Sequence, residues 1–242
     1  MPRQNQSNVL PAALMLGGIA LIGWGLTRAA QEVIAPLTDR AEAWASRILA
    51  AYPAMMNYGG ISYARKLVLI ALSADVHPYH LANVIGFESG WTFDPATVNE
   101  ACVRSGGVKC ATGLIQFTDR TARELGTTLA ALKRMSAIQQ LDYVGAYLDL
   151  PRIAEHGFLE TQEDVFMAIF QPVAIGDPDY PFNFDAKTQA LNSGIYTPRD
   201  YTRKALNPAN VNLPIDVRLN TTGVEGVAML PVRPKFLLAQ SS

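Results

Sequence analysis

The sequence has few of the residues from which metal and redox sites are built. It contains 2 cysteines and 3 histidines among 242 residues. Cys102 and Cys110 form neither a CxxC pair nor a zinc quartet, and His77 and His80 have no further ligands nearby. We therefore expect no metal centre and no cofactor. The 20 basic and 21 acidic residues nearly balance, so nothing predicts the basic surface that nucleic-acid binding requires.

Charged residues are absent from residues 9–27, where the sequence reads VLPAALMLGGIALIGWGLT between Arg3 and Arg28. An apolar run of about 20 residues can cross a bilayer as a helix. The apolar part of a signal peptide has about 7–15 residues and ends at small residues. The pattern therefore favours an uncleaved membrane anchor over residues 1–30, while its glycines and its proline leave a buried core helix as the alternative.

Helical periodicity dominates the middle of the chain. The run ISYARKLVLIALSADV repeats apolar residues every three to four positions, as one face of a helix does. The predicted helices cover residues 38–51, 61–76, 77–90, 120–126, 136–150 and 165–174. The predicted parts of the chain are an anchor over 1–30, a helical linker over 31–60, a domain over 61–206 and an extended proline-containing tail over 207–242.

Residues 91–112 interrupt the helical pattern with the loop-rich stretch WTFDPATVNEACVRSGGVKCAT. A short β-hairpin or an extended loop is expected there, because no helical spacing runs through it. The fold class that we predict is α+β: a predominantly helical domain with a small β or loop insertion, preceded by an N-terminal transmembrane helix.

Glu88 is the first candidate for chemistry, because it closes the apolar run VIGFE and is followed at once by Ser-Gly. A glutamate rarely lies on a buried helix face unless it is paired or catalytic. It could be a surface charge at a helix end, half of a core ion pair, or a general acid. Desolvation at the edge of an apolar helix would raise its pKa, as a glycosidase acid requires.

A second candidate is the segment GLIQF, residues 113–117. Gly113 would let the backbone approach a ligand, the amide of Gln116 would bind hydroxyl or N-acetyl groups, and Phe117 would offer a flat face. Between residues 101 and 118 the chain has no aspartate or glutamate. A second catalytic carboxylate is therefore not expected within this stretch.

Several short motifs follow Glu88 in a recognisable order. Together they resemble the lysozyme-like lytic transglycosylases, especially those carried by bacteriophage particles, and the resemblance covers about residues 65–205. The motifs are ESG at 88–90, GLIQF at 113–117, QLDYVGAYL at 140–148, MAIFQP at 167–172 and NSGIYTPRDY at 192–201.

The resemblance implies roles for individual residues. Glu88 matches the single catalytic acid and base of the family, and Ser89 matches the serine that helps to orient it. Phe170 stands where the family usually has a tyrosine whose hydroxyl contacts the glutamate, so Tyr143, Tyr147 or Tyr201 would have to supply that hydroxyl. The substrate-binding residues implied are Ser89, Gly113, Leu114, Ile115, Gln116, Phe117, Phe170, Gln171 and Tyr201.

The resemblance further implies cleavage of the β-1,4 bond between N-acetylmuramic acid and N-acetylglucosamine in peptidoglycan, with a 1,6-anhydro product. Glycan strands would be the partner, and the enzyme would act locally from a virion or from an inner-membrane anchor facing the periplasm. A hydrolytic muramidase is the alternative, since Asp94, Glu100 or Asp119 could provide a second carboxylate. A structural protein of a virion or envelope, docked through residues 207–242, is another.

Cys102 and Cys110 flank the short segment VRSGGVK. A disulfide between them would close a loop beside the cleft and would suit an oxidising periplasm or a virion exterior. Two free thiols are the alternative. Neither state makes these cysteines catalytic.

Overall fold

The computed structural model describes residues 41–206, which form a set of short helices. Residues 41–51 are helical and are named α1. Two 3₁₀ helices cover Pro53–Tyr58 and Pro172–Ala174. The remaining helices are α2 (Ile61–Ser73), α3 (Pro78–Glu88), α4 (Glu100–Arg104), α5 (Asp119–Glu124), α6 (Leu129–Leu132), α7 (Ala137–Leu148), α8 (Pro151–Ala154), α9 (Gln162–Phe170), α10 (Ala186–Leu191) and α11 (Pro198–Ala205).

The predicted α+β class is wrong, because the described part of the chain is helical. Over residues 41–206 β-pairing is limited to the isolated bridges Val76–Leu159, Val98–Thr112 and Thr112–Phe117. Tight turns and the short helix α4 satisfy the backbone of the insertion after α3, as when Phe117 N donates to Thr112 O at 2.8 Å. Such closely spaced bonds close a loop and leave no extended run for a strand ladder.

The predicted membrane anchor and the predicted extended tail lie outside the described residues. Within residues 41–206 no helix is long and apolar enough to cross a membrane. Part of the predicted linker is described, and it contributes to the core, since Ala45, Ile48 and Met55 are fully buried.

The core forms where the apolar faces of the central helices meet. Helix α2 packs on α7 and α3, and α9 packs on α3 and α11. The predicted helix over residues 136–150 is confirmed as α7, which begins with a capping box made by Ser136 and Gln139. Its apolar face, Leu141, Val144 and Leu148, is buried.

Helix α3 is the element that positions the candidate site. It begins with His77 as N-cap and Pro78 at the first helical position, buries Leu81, Val84 and Ile85, and ends at Glu88. A buried amide pair attaches it to α9, because Asn83 Nδ2 donates to Gln162 Oε1 at 2.6 Å. The C-terminal end of α3 therefore has a fixed place beside α9.

Candidate active site

Glu88 lies half-buried at the last position of α3, beside α11. Its Oε1 accepts a hydrogen bond from Tyr201 Oη at 3.2 Å. Its second carboxyl oxygen receives no hydrogen bond from the described residues. The carboxyl is thus held by one oxygen and keeps unused hydrogen-bonding capacity at the other.

The pKa of Glu88 is raised from 4.5 to about 7. Burial is the main cause, and the hydrogen bond from Tyr201 acts in the opposite direction. A position at the C-terminal end of a helix disfavours a negative charge in the same sense as burial. Near neutral pH the carboxyl therefore exists in both forms, as a group that donates a proton and later accepts one requires.

Tyr201 reaches Glu88 from α11, whose start is set by the N-cap Thr197 and by Pro198 in the first turn. Its ring is 7% exposed. It stacks on Phe170 at 4.6 Å and meets the edges of Phe87 and Phe166 at 5.6 and 5.5 Å. Burial and the nearby Glu88 hold the pKa of Tyr201 well above its usual value, so its hydroxyl remains a donor.

The tyrosine hydroxyl that contacts Glu88 comes from α11 and not from α9, which carries Phe170. Of the three tyrosines that could supply it, Tyr201 bonds to Glu88, whereas Tyr147 Oη donates to the carbonyl of Ala168 at 2.8 Å. Tyr143 on α7 is half-buried and has no hydrogen bond to Glu88. Phe170 contributes the ring on which Tyr201 rests.

Replacing Tyr201 by phenylalanine is expected to lower the turnover rate by about tenfold to hundredfold, the range for a lost hydrogen bond to a charged group. The pKa of Glu88 should rise, because the hydrogen bond that lowers it is removed, and the alkaline limb of the pH–rate profile should move to higher pH. The control is Tyr196→Phe, since Tyr196 is 58% exposed. Profiles that coincide for Tyr201→Phe and the wild type would contradict this role.

Ser89 acts on the backbone and not on the carboxyl group. Its Oγ donates to Gly86 O at 3.2 Å and accepts from Phe93 N at 3.0 Å. Over residues 41–206 it makes no hydrogen bond to Glu88, in contrast to the orienting role that the resemblance implies. It holds the turn that leaves α3 and so orients Glu88 only through the main chain.

The segment Gly113–Phe117 is turned inward. Leu114, Ile115 and Phe117 are 0%, 2% and 1% exposed. Their side chains belong to the core, so the prediction that Phe117 offers a flat face to a sugar is not met. Gln116 is half-buried, and its Nε2 donates to Gly113 O at 3.2 Å. Gln116 is therefore the one residue of this segment that is not buried.

Three non-glycine residues around this segment have left-handed backbone conformations. They are Trp91, Phe93 and Gln116, with φ of 63°, 59° and 51°. Each such conformation costs on the order of 1–3 kcal/mol and persists only where the surrounding contacts impose it. Such strain concentrates at functional sites, which agrees with a site in the loops that follow Glu88.

Gln140 on α7 organises these loops and was not singled out from the sequence. It is fully buried. Its Oε1 accepts from Leu114 N at 2.6 Å, and its Nε2 donates to Pro95 O and Leu132 O, both at 2.9 Å. One side chain thus joins the loop after α3, the segment at 113–117 and α6. Its signal in the sequence was a glutamine on the apolar side of a helix, where a polar group needs partners.

The three carboxylates considered as a second catalytic group all have other partners. Asp119 pairs with Lys109 at 3.0 Å and with Arg123, which hold its pKa below the usual value. Glu100 pairs with Arg104 on the exposed helix α4, and Asp94 accepts from Ala96 N at 2.8 Å. Among residues 41–206 no other carboxylate contributes to the raised pKa of Glu88.

Cys102 and Cys110 form a disulfide. It closes the loop that leads from α4 back to the segment at 113–117, and Asn99 N donates to Ala111 O across its base at 2.9 Å. The two possibilities left open by the sequence are thus resolved in favour of the bonded form.

Replacing both cysteines by serine is expected to lower the free energy of unfolding by about 2–3 kcal/mol, from the entropy of closing so short a loop. Urea unfolding with and without a reducing agent measures it. The reduced wild type should unfold at the same urea concentration as the double variant. A wild-type unfolding midpoint that does not change on reduction would contradict the prediction.

No group of three or more His, Cys, Asp or Glu residues in the described part of the chain could hold a metal ion. Comparison of the chain with protein-family models, curated proteins and solved structures found no match. The function proposed for this site therefore rests on its geometry and on the motif order in the sequence.

Proposed function

We propose that this protein is a peptidoglycan lytic transglycosylase with Glu88 as its single acid and base. The observation that carries the proposal is the raised pKa of about 7 for a glutamate that has a tyrosine donor on one oxygen and no partner among the described residues on the other. Engagement of Asp94, Glu100 and Asp119 elsewhere supports a reaction that needs no second carboxylate.

In the first step the protonated Glu88 donates its proton to the glycosidic oxygen, and the bond between that oxygen and the muramyl C1 breaks. N-acetylglucosamine leaves with the proton. Glu88 is then a carboxylate, and the hydrogen bond from Tyr201 stabilises its charge. Positive charge develops at C1 in the transition state.

In the second step Glu88 accepts the proton of the muramyl C6 hydroxyl. The C6 oxygen bonds to C1 and closes the 1,6-anhydro ring, and Glu88 regains its initial protonated state. One group performs both transfers, and a pKa of about 7 suits it to donate and to accept a proton near neutral pH. Water takes no part in the bond changes.

Mass spectrometry of the muropeptides released from purified peptidoglycan by the full-length chain tests this proposal. The expected products are lighter than hydrolytic products by one water. Glu88→Gln should release none, and Glu155→Gln, which changes an exposed glutamate at the end of α8, should release them as the wild type does. Hydrated reducing ends, or no release by the folded wild type, would overturn it.

A further inference from the structure

The loop between α9 and α10 holds a cluster of aromatic rings beside the candidate site. Phe182 and Phe184 stack with ring centroids 5.1 Å apart, and Phe170 lies nearly perpendicular to both, with centroids at 5.7 and 6.1 Å. The opposite side of the cluster is Tyr201, which stacks on Phe170 and donates to Glu88. The rings therefore form a continuous row that begins at the hydrogen-bond partner of Glu88.

The loop that carries these rings is fixed at several points. Gly176 N donates to Asp164 Oδ1 at 2.8 Å, and Phe182 N donates to Tyr196 O at 2.9 Å. Near its middle, Pro178 O accepts from Arg199 N at 3.1 Å. Rings held on such a scaffold lose little conformational entropy when a ligand binds.

The cluster is only partly covered by protein. Phe182 is 7% exposed and supports the others, Phe184 is half-buried, and Phe170 is 37% exposed. Phe182 and Tyr201 belong to the hydrophobic core and Phe184 packs against it, so the core supports the two rings that keep solvent contact, Phe170 and Phe184. Aromatic surface left accessible beside a raised-pKa carboxyl is the kind of apolar surface that lines ligand sites. The exposed part of such a ring matches the apolar C–H face of a pyranose ring.

A polar group stands next to the rings. Gln171 follows Phe170 at the end of α9 and is half-buried, and its side-chain amide makes no hydrogen bond with residues 41–206. An amide offers both a donor and an acceptor, which is the complement of an N-acetyl group. An apolar surface with a few polar groups is the usual composition of a small-ligand site.

We infer that Phe184, flanked by Phe170 and by the amide of Gln171, forms a platform that binds one N-acetylated amino-sugar ring of the glycan adjacent to the bond at Glu88. This inference rests on the proposed function and extends it, since it adds Phe184 and the loop at 177–185 to the substrate site. The ligand expected on the platform is a sugar ring. A stem peptide, a second copy of the chain and the chain's own residues 207–242 are the other occupants that the test distinguishes.

Calorimetric titration of the full-length chain carrying Glu88→Gln, with an N-acetylglucosamine oligosaccharide and with soluble glycan strands, tests the platform without turnover. Adding Phe184→Ala or Phe184→Leu should weaken binding by about tenfold, and Phe184→Trp should restore it to within about twofold. Val173→Ala is the matched control, because Val173 is 64% exposed on the adjacent 3₁₀ helix. Near-ultraviolet circular dichroism checks that each variant is folded.

In the chain with Glu88 intact, Phe184→Ala should change KM more than kcat, as expected for a residue that only binds. Unchanged affinity in Phe184→Ala, full affinity in Phe184→Leu, or an effect on self-association alone would overturn the platform. If the wild type still forms anhydro products in that case, the proposed function stands. If the Glu88→Gln chain binds neither glycan and the wild type releases no products, both fail together.

Discussion

Glu88→Gln is expected to abolish product formation and, at the same time, to stabilise the protein above pH 7. Activity should fall by at least about 10³-fold, because one group serves both proton transfers and general acid–base catalysis alone contributes about 10²–10⁴-fold. The gain in stability comes from removing a carboxyl that the fold holds more favourably in its neutral form.

The sign of the pH effect follows from the direction of the pKa change. The pKa of Glu88 is about 7 in the folded protein against 4.5 for the free side chain. The unfolded chain therefore releases this proton first, and wild-type stability falls as pH rises from about 4.5 to about 7. The full difference corresponds to roughly 2–3 kcal/mol once partial solvent contact is allowed for.

Urea unfolding of the wild type and of Glu88→Gln at pH 4 and pH 8 measures this. At pH 4 both side chains are neutral, and the introduced amide keeps an oxygen that can accept from Tyr201, so the two proteins should have nearly equal stability. At pH 8 the variant should be more stable. Equal stability of the two proteins at both pH values would mean that folding does not raise the pKa of Glu88. A variant that is less stable than the wild type at pH 8 would mean that folding lowers this pKa.

Gln140→Leu is expected to lower the free energy of unfolding by about 3–5 kcal/mol. It leaves Leu114 N and Pro95 O without their partner in the core, whereas Leu132 O keeps the bond from Met135 N at 3.0 Å. Each buried unsatisfied group costs about 1–3 kcal/mol. Gly113→Ala should act through the same contact. The Cβ atom would lie 2.4 Å from Gln140 Oε1, and the φ of +88° is strained for any side chain.

The neighbouring Gln139→Leu is the matched control. Gln139 is exposed and bonds only at the start of α7, so its loss should cost about 1 kcal/mol. Gln140→Glu keeps the side-chain volume nearly constant and changes only the hydrogen bonds, so it distinguishes the two contributions to stability. A neutral carboxyl accepts from Leu114 N and still donates once, whereas a charged one faces two carbonyl oxygens, so its stability should fall as pH rises. A Gln140→Leu protein as stable as Gln139→Leu would refute this role.

Local patterning predicted a large part of this architecture. Helical spacing located α2, α3 and α7, and an acid at the end of α3 marked Glu88, because period and capping depend on residues close together in the chain. Helix α11 was missed, although Thr197 and Pro198 are a helix start, because its composition is mostly polar. The β class was wrong because a loop without periodicity does not reveal whether its backbone closes into turns or into a ladder.

The sequence by itself determined where α2, α3 and α7 run and which glutamate ends the apolar α3. Only the tertiary structure decided that Tyr201, 113 residues away, donates a hydrogen bond to Glu88. It also decided that Phe117 belongs to the core, that Gln140 joins three segments and that Phe184 stands beside Phe170. These facts depend on contacts between segments that are distant in the chain. A local sequence pattern shows which face of a helix is apolar, but it does not show which other segment packs against that face.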